Sequence, residues 1–418
     1  MKVAVIGSGG REHTLVWKIS QSPMVDKIYA LPGNGGISDI AECVAIDPED
    51  LSGVVTFCKD FKIDLVMIGP EAPLSKGLAE TLRGHGISAV GPDSKCAMLE
   101  SSKVWAKQFM IKHGIPTAAY RAVKDKQSLM KAVDEFGLPI VIKMDGLCAG
   151  KGVFICNNME EIEEAAEQIY GVVSGEKVIV EEFLKGNEAS YMIFTDGQTY
   201  IPLVTSRDHK KIYDGDKGPN TGGMGAVSPA PLNENMDEKI KESIIAPLLK
   251  ALKNEEMRYN GVIYLGLMLS PDNDIRVLEF NARFGDPETQ VILTRMESDI
   301  MDILVPLGSL SKLPLNYKIK WNKSFSFCVV LAQDGYPGSY KKGVHITTLN
   351  HIKAANNEYL FHAGTVKKDN EYYTNGGRVL GVTAVASTLE EARDKAYSLA
   401  KKVAWDSCYY RKDIGSWR

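Results

Sequence analysis

Short apolar runs that stop at glycine-rich turns constrain this chain more than any other feature. Residues 2–6 are the first such run, and Gly7-Ser8-Gly9-Gly10 closes it. A run that short, apolar at nearly every position, fits a parallel strand buried on both faces. An amphipathic helix through Leu15, Val16 and Ile19 follows. Residues 27–31 then lead into Pro32-Gly33-Asn34-Gly35-Gly36, residues 65–68 into Gly69-Pro70-Glu71, and Ala89-Val90 into Gly91-Pro92. Alternation of strand and helix over residues 1–92 predicts an open, doubly wound α/β domain.

The pattern then changes. Helices are expected over 103–113 and 127–136, and a strand over 140–143 enters the Gly-rich loop 145–152. Residues 153–156 pair back as a strand, Asn158 caps an acidic helix to about Tyr170, and 178–181 is a further strand. Residues 207–231 are polar and rich in Gly and Pro, which reads as a long functional loop. A helix over 237–253, kinked at Pro247, and strands over 262–269 and 275–281 complete a second α/β unit. Beyond residue 310 short strands such as 324–331 and 379–386 appear. Thr388-Leu389-Glu390-Glu391 forms a capping box for a helix with apolar Leu389, Ala392, Ala396, Leu399 and Val403. Three units are expected: 1–101, 102–310 with a small lid over about 121–187, and 311–418.

Charge and cysteine use exclude whole classes. The 418 residues carry 49 basic and 53 acidic side chains, for a net charge of -4. That balance argues against a general binder of nucleic acid or membrane surfaces. No apolar run approaches the ~18 residues of a membrane span. The first residues read as a strand and not as a signal peptide. The 7 cysteines are odd in number and lack CxxC spacing, so reduced thiols and a cytoplasmic location are expected and a structural zinc site is not.

Four constellations carry chemistry. Gly7 to Gly10 turns a strand into a helix, and such a turn presents backbone N–H groups to an anion. A dinucleotide is disfavoured, because Glu12 stands where that fingerprint needs glycine and Leu31-Pro32-Gly33 where it needs an acid. A phosphate site and a merely tight turn both remain open. Lys143, at a strand end before the loop 145–152, suits a phosphate contact under a flexible cover, or equally a surface strand and hairpin. Glu181-Glu182-Phe183-Leu184 with Glu188 suits an adenine edge and ribose hydroxyls, or a solvated acidic turn. Glu279, Asn281 and Arg283 share one face of an extended segment. A carboxylate beside an amide oxygen suits a divalent cation held largely by phosphates, and Arg283 suits a transferring phosphoryl or a carboxylate. An exposed ion-paired strand is the alternative.

With these pieces in order, the chain resembles the glycinamide ribonucleotide synthetases, the phosphoribosylamine–glycine ligases of the ATP-grasp group. The pieces are GSGGREH at 7–13, PGNGG at 32–36, GPEAPL at 69–74, DGLCAGKGV at 145–153, DHK at 208–210, GPNTGGMGAVSPAP at 218–231, EFNARFGDPETQ at 279–290 and GYPGSY at 335–340. The string at 218–231 is the most specific. The resemblance implies an ATP-grasp fold, preceded by a doubly wound parallel-sheet domain and followed by a small mixed α/β domain. It implies ATP-driven joining of glycine to phosphoribosylamine through a glycyl phosphate, in de novo purine synthesis.

The resemblance also implies roles. Lys103 and Lys143 would meet ATP phosphates, with Gly150, Lys151 and Gly152 in the loop over them. Glu181, Glu182, Phe183 and Leu184 would hold adenine and Glu188 the ribose. Glu279 and Asn281 would bind Mg²⁺ or Mn²⁺. Gly9, Gly10, Asn34 and Glu71 would receive phosphoribosylamine, while Asp208, Gly223 and Arg283 would lie near glycine. With Lys143, Asp208 and Arg283 form the expected catalytic set. A monomer is expected. Three positions depart from related patterns: Leu267 where many ATP-grasp enzymes carry a third metal carboxylate, Arg207 in place of the usual Gln, and Asn187 in place of the usual Glu. Another carboxylate–amine ligase or a carboxylase shares half the constellation, and a non-catalytic nucleotide-binding regulator is the reading from another class.

Overall fold

A computed structural model describes residues 1–147, 152–170, 177–232 and 234–416. The strand Lys2–Gly7 is the middle of a five-stranded parallel sheet. Lys27–Pro32 and then Glu42–Cys43 lie on one side of it, and Leu65–Ile68 and then Ser88–Val90 on the other. Its apolar run is divided by the strand's alternation. Val3 and Val5 pack with Leu15, Val16 and Ile19, whereas Ala4 and Ile6 pack with Val54, Phe57 and Leu74. Both faces are covered, as a parallel sheet requires.

The lid is a separate antiparallel sheet in the order Tyr120–Val123, Val178–Glu182, Ile140–Met144, Val153–Cys156. The helices Lys126–Phe136 and Met159–Tyr170 bury Leu129, Val133, Ile162 and Ile169 against its Ile140, Ile142 and Val180. Asn158 caps the second helix by accepting from the Glu161 N–H at 2.9 Å. The facing sheet runs Tyr200–Pro202, Asn187–Thr195, Gly261–Leu269, Ile275–Asn281. The strand from 178 to 182 therefore leads out of the lid into the strand that carries Glu188.

The stretch 207–231 is not a single loop. It forms the strands Arg207–Asp208, Lys211–Tyr213, Lys217–Asn220 and Gly225–Ser228. Arg207–Asp208 and Gly225–Ser228 continue a sheet whose other members, Phe325–Gln333, Arg378–Ala386, Glu358–His362 and Cys408–Tyr409, come from the last quarter of the chain. Polar strands this short are invisible to local periodicity, because their pairing is set by distant partners.

Two finer expectations also change. The irregularity near Pro247 is a π-turn at Lys241–Ile245 that runs in unbroken helical backbone into the helix Ala246–Asn254, so the hydrogen bond that Pro247 cannot donate falls at the π-turn. Thr388 does cap Leu389–Val403 by accepting from the Glu391 N–H at 3.2 Å, but the Glu391 carboxylate turns to Ser387 and Lys395. Among the described residues, no helix is long and apolar enough to cross a membrane.

Candidate active site

A register shift between Gly261–Leu269 and Ile275–Asn281 organises the site. It falls at Leu278 and leaves that residue's carbonyl to accept from Lys143 Nζ at 3.1 Å. Beyond the shift Glu279 sits opposite Gly266 and Asn281 opposite Tyr264. A side chain at Gly266 would meet Glu279 Cγ at 3.0 Å, so the glycine gives that carboxylate room. Phe280 and Ala282 point into the core, as their alternation requires.

On the lid side the buried Glu181 carboxylate lies between two ammonium groups. Lys143 Nζ is 2.9 Å from one oxygen and Lys107 Nζ is 3.2 Å from the other. Lys103, one helical turn before Lys107, donates to the Gly146 carbonyl at 2.7 Å, at the start of the Gly-rich loop. Gly152 accepts from the Met144 N–H at 2.8 Å, while Gly150 and Lys151 lie outside the described residues. The Glu182 carboxylate accepts from Arg276 at 2.7 Å and from the Ala119 N–H at 2.8 Å, and its own N–H donates to the Ala119 carbonyl at 3.1 Å. Strand pairing ends there, before Phe183 and Leu184.

Glu188 and Glu279 are joined by one cation. Lys210 Nζ lies 3.3 Å from Glu188 and 3.6 Å from Glu279. Burial opposes the Lys210 charge, but these carboxylates and Asp208 hold its ammonium well above the usual lysine range. Burial likewise works against the Glu279 carboxylate, yet Lys210, Lys143, Lys103 and Arg283 bring it down to about 2. Asp208, in contrast, is pushed up to about 8 by burial, with Glu288, Glu188 and Glu279 adding to the effect and Lys210 opposing it. Asn281 Oδ1 accepts from Arg283 Nη2 at 3.1 Å.

Glu279 and Asn281 fit a divalent ion of the kind held by few protein oxygens and several phosphate oxygens. They do not make an all-protein cage: no group of three or more His, Cys, Asp or Glu suited to a metal occurs among the described residues. Leu267 is buried against the core and adds no oxygen.

The opposite wall is built around Arg283. Its Nη2 is 2.8 Å from Glu100 and its Nε 3.4 Å from Glu71. Burial opposes the charge, but Glu100 and Glu71 hold the guanidinium firmly protonated. The glycine turn is already served by carboxylates: the Gly9 N–H donates to Glu12 at 2.6 Å and the Arg11 N–H to Asp286 at 3.2 Å. Gly10 backs onto Gln290, whose amide nitrogen a Cβ would meet at 2.6 Å. The Asn34 side chain is fully used, donating to the carbonyls of Ser8 and His362 at 2.8 Å and accepting from the N–H groups of Gly36 and Ile37 at 3.0 and 2.9 Å. Gly223, at φ +112°, lies against Pro287, and Arg378 reaches in from its strand to the carbonyls of Gly222 and Asp286.

The expected residues therefore fall on two walls. Lys103, Lys143, Glu181, Glu188 and Glu279 lie on one side, and Arg283, Glu71, Gly9, Gly10 and Gly223 on the other, with Asn281 bonded to Arg283 between them. Asn34 is a brace between the first sheet and the strand ending at His362. Sequence reasoning missed Lys107, Glu100, Lys210 and Arg378. Only Lys210 lay inside a recognised string, while the other three are defined by partners far away in the chain. The two departures meet each other: Arg207 Nη1 donates to Asn187 Oδ1 at 3.3 Å.

A lid sheet facing a second antiparallel sheet, with Lys143 on one and a Glu-x-Asn on the other, defines an ATP-grasp protein. Family models agree along the chain. The N domain of phosphoribosylglycinamide synthetase matches residues 1–100, its ATP-grasp (A) domain 101–289 and its C domain 326–417. The chain belongs to the phosphoribosylglycinamide synthetase family.

The phosphoribosylamine–glycine ligase of Caldanaerobacter subterraneus subsp. tengcongensis is 44% identical over 422 residues, covering 100% of both chains. That of Escherichia coli strain K12 is 44% identical, covering 100% of this chain and 98% of its own. The crystal structure of the Thermotoga maritima phosphoribosylamine–glycine ligase superposes with a TM-score of 0.84 at 36% identity, covering 99% of this chain and 100% of that one.

Proposed function

We propose that this chain joins glycine to phosphoribosylamine at the expense of ATP, giving glycinamide ribonucleotide, ADP and phosphate in purine biosynthesis. The observation that carries the reading is the two-walled site, with cations where a triphosphate would lie and a Glu-x-Asn pair beside them, in a chain aligned end to end with such ligases.

A carboxylate is a poor electrophile until one of its oxygens becomes part of a leaving group. A glycine carboxylate oxygen attacks the γ-phosphorus, the bond to the bridging oxygen breaks, and ADP departs with the electron pair. The amine of phosphoribosylamine then attacks the acyl carbon of glycyl phosphate. The carbon–oxygen bond to phosphate breaks, and the nitrogen loses one proton. Such chemistry asks for positioning and charge neutralisation, not for a protein nucleophile.

Lys103 and Lys143 are placed to bind phosphate oxygens. The backbone of Phe183 and Leu184 supports an adenine contact, and Glu188 a ribose contact. Glu279 and Asn281 would hold Mg²⁺ or Mn²⁺, which when bound neutralises phosphate oxygens. Arg283 stands at the join of the walls, where a carboxylate or a transferring phosphoryl would sit. Glu71 would accept from ribose hydroxyls. We keep a monomer as the proposed state. The free thiols of the six described cysteines support a reducing compartment such as the cytoplasm.

Phosphate release from ATP and Mg²⁺ tests the reaction. Sustained release is expected to require glycine together with an amine acceptor, here freshly made phosphoribosylamine, and release that ignores glycine would remove the ligase reading. Hydroxylamine in place of phosphoribosylamine should trap the acyl phosphate as the glycine hydroxamate.

A further inference from the structure

Lys107 is absent from every expectation above, yet it is among the most buried charged groups of the described residues. It is 2% exposed, as is Glu181, and Lys143 is 7% exposed. Two ammonium groups thus share one carboxylate in a closed space. The contacts are unequal. Lys143 is 2.9 Å from Glu181 and also donates to the Leu278 carbonyl. Lys107 lies 3.2 Å from the other Glu181 oxygen, which has no aligned hydrogen-bond donor. Its donors go to Thr117 Oγ1 at 2.7 Å and the Ala118 carbonyl at 3.3 Å, and its ammonium lies 5.9 Å from the centre of the Tyr120 ring. Lys107 therefore reaches Glu181 through charge, at a position fixed by other partners.

The charge count matters. With Lys143 alone, Glu181 would make a neutral pair, and a phosphate arriving at Lys143 would compete with a full carboxylate. With Lys107 present, the buried group carries one net positive charge. We propose that Lys107 is a positioning residue of the nucleotide site, which shares Glu181 so that Lys143 keeps its charge for a phosphate. This rests on the nucleotide reading above and adds a residue to it.

The surroundings define how the group responds to pH. Glu181 and Glu182 face it from the strand Val178–Glu182, Lys143 from Ile140–Met144, Tyr120 from Tyr120–Val123, and Lys103 from its own helix. Arg276, from Ile275–Asn281, takes up Glu182, and Glu100, from the preceding helix, is taken up by Arg283. Burial pulls the Lys107 ammonium down to about 8, with Glu181 opposing and Lys143 adding to the fall. An anionic nucleotide would restore the lost proton, so binding and protonation are linked.

The test is calorimetric titration of the full chain with ADP and Mg²⁺. In the wild type, affinity is expected to weaken roughly ten-fold between pH 7.5 and 9.5. Titration at pH 8 in buffers of different ionisation enthalpy should report proton uptake. Lys107→Met should bind ADP roughly ten-fold more weakly at pH 7.5, with no further loss on raising the pH and no proton uptake. Lys107→Arg should restore affinity and remove the pH dependence.

A purely structural lysine would lower thermal stability and leave the pH profile of ADP binding as it was, and that result overturns the proposal. Wild-type binding that is flat with pH and takes up no proton overturns it without any variant, so a poorly folded Lys107→Met does not shelter it. A wild-type chain that takes up no ADP would overturn the nucleotide reading and this inference together.

Discussion

The two walls of the site are built with opposite charge counts. On the lid side two lysines share one carboxylate, whereas Arg283 on the other side is one cation shared by two carboxylates, Glu71 and Glu100. Between them Lys210 is again one cation on two carboxylates, Glu188 and Glu279. A buried cluster that is not neutral is costly unless a ligand completes it. The lid side lacks negative charge, which on the proposed reaction a triphosphate would supply. The Lys210 cluster lacks positive charge, which a divalent ion would supply. The Arg283 cluster has carboxylate acceptors to spare, which on the proposed reaction the ribose hydroxyls would meet as donors. The contrast teaches that the three clusters differ in the charge each leaves unmatched, so each would favour a different part of the proposed reactants.

The largest break in this scheme is expected at Glu279. Glu279→Gln keeps the shape and removes the charge that would hold the metal. Turnover should fall on the order of 10³-fold, while the melting temperature stays near that of the wild type. Near-normal turnover would take Glu279 out of the metal site. Glu71→Ala tests the other wall. Its loss should raise the KM for phosphoribosylamine roughly ten- to a hundred-fold and leave the KM for ATP in place. An unchanged KM for phosphoribosylamine would move that substrate elsewhere. A smaller effect is expected at Lys210, which competes for Glu279 in the free protein. Lys210→Met should tighten nucleotide-free Mn²⁺ binding by roughly ten-fold, read by electron paramagnetic resonance. Weaker Mn²⁺ binding in that variant would show that Lys210 supports the metal rather than replaces it.

How much of this is legible in the chain depends on the range of the interaction. The first sheet is readable because Val3 to Ile6 must be covered on both faces, and adjacent helices do it. The Glu-x-Asn face is readable because alternation along one strand places Glu279 and Asn281 together while Phe280 turns inward. The strand Gly225–Ser228 is not readable. Its partner, Phe325–Gln333, is about a hundred residues away, and neither segment's composition announces the other. Charge pairing fails for the same reason. Lys107 looks like any polar residue of an amphipathic helix until Glu181 is brought beneath it, and Arg378 like any strand-initial arginine until Asp286 is.

The smallest expected effect concerns a joint that carries no charge and so sets the charged walls in relief. His13 and His362 are buried where the first domain meets the strand Glu358–His362, with ring centroids 5.6 Å apart. The His362 backbone N–H donates to His13 Nδ1 at 2.8 Å, and His362 Nδ1 meets Thr365 Oγ1 at 3.0 Å. Burial pulls both rings down to about 3, assisted for His13 by His362 and for His362 by Lys367. A histidine whose folded pKa is depressed contributes stability above its unfolded value of about 6.5 and loses it as the pH falls towards the folded value. Asp208 complicates a simple melting curve. Its raised pKa acts in the opposite sense, costing stability as the pH rises through the same window. The difference between wild type and His362→Gln removes that complication, because Asp208 is common to both. Their stabilities should converge by about 1.4 kcal/mol for each pH unit below 6.5, down to about pH 5 where ordinary carboxylates begin to titrate. Denaturant unfolding of both proteins at pH 7.0, 6.0 and 5.0 measures it. A difference that stays constant over that range would mean that His362 titrates alike in the folded and unfolded chain, and that burial does not hold its ring neutral.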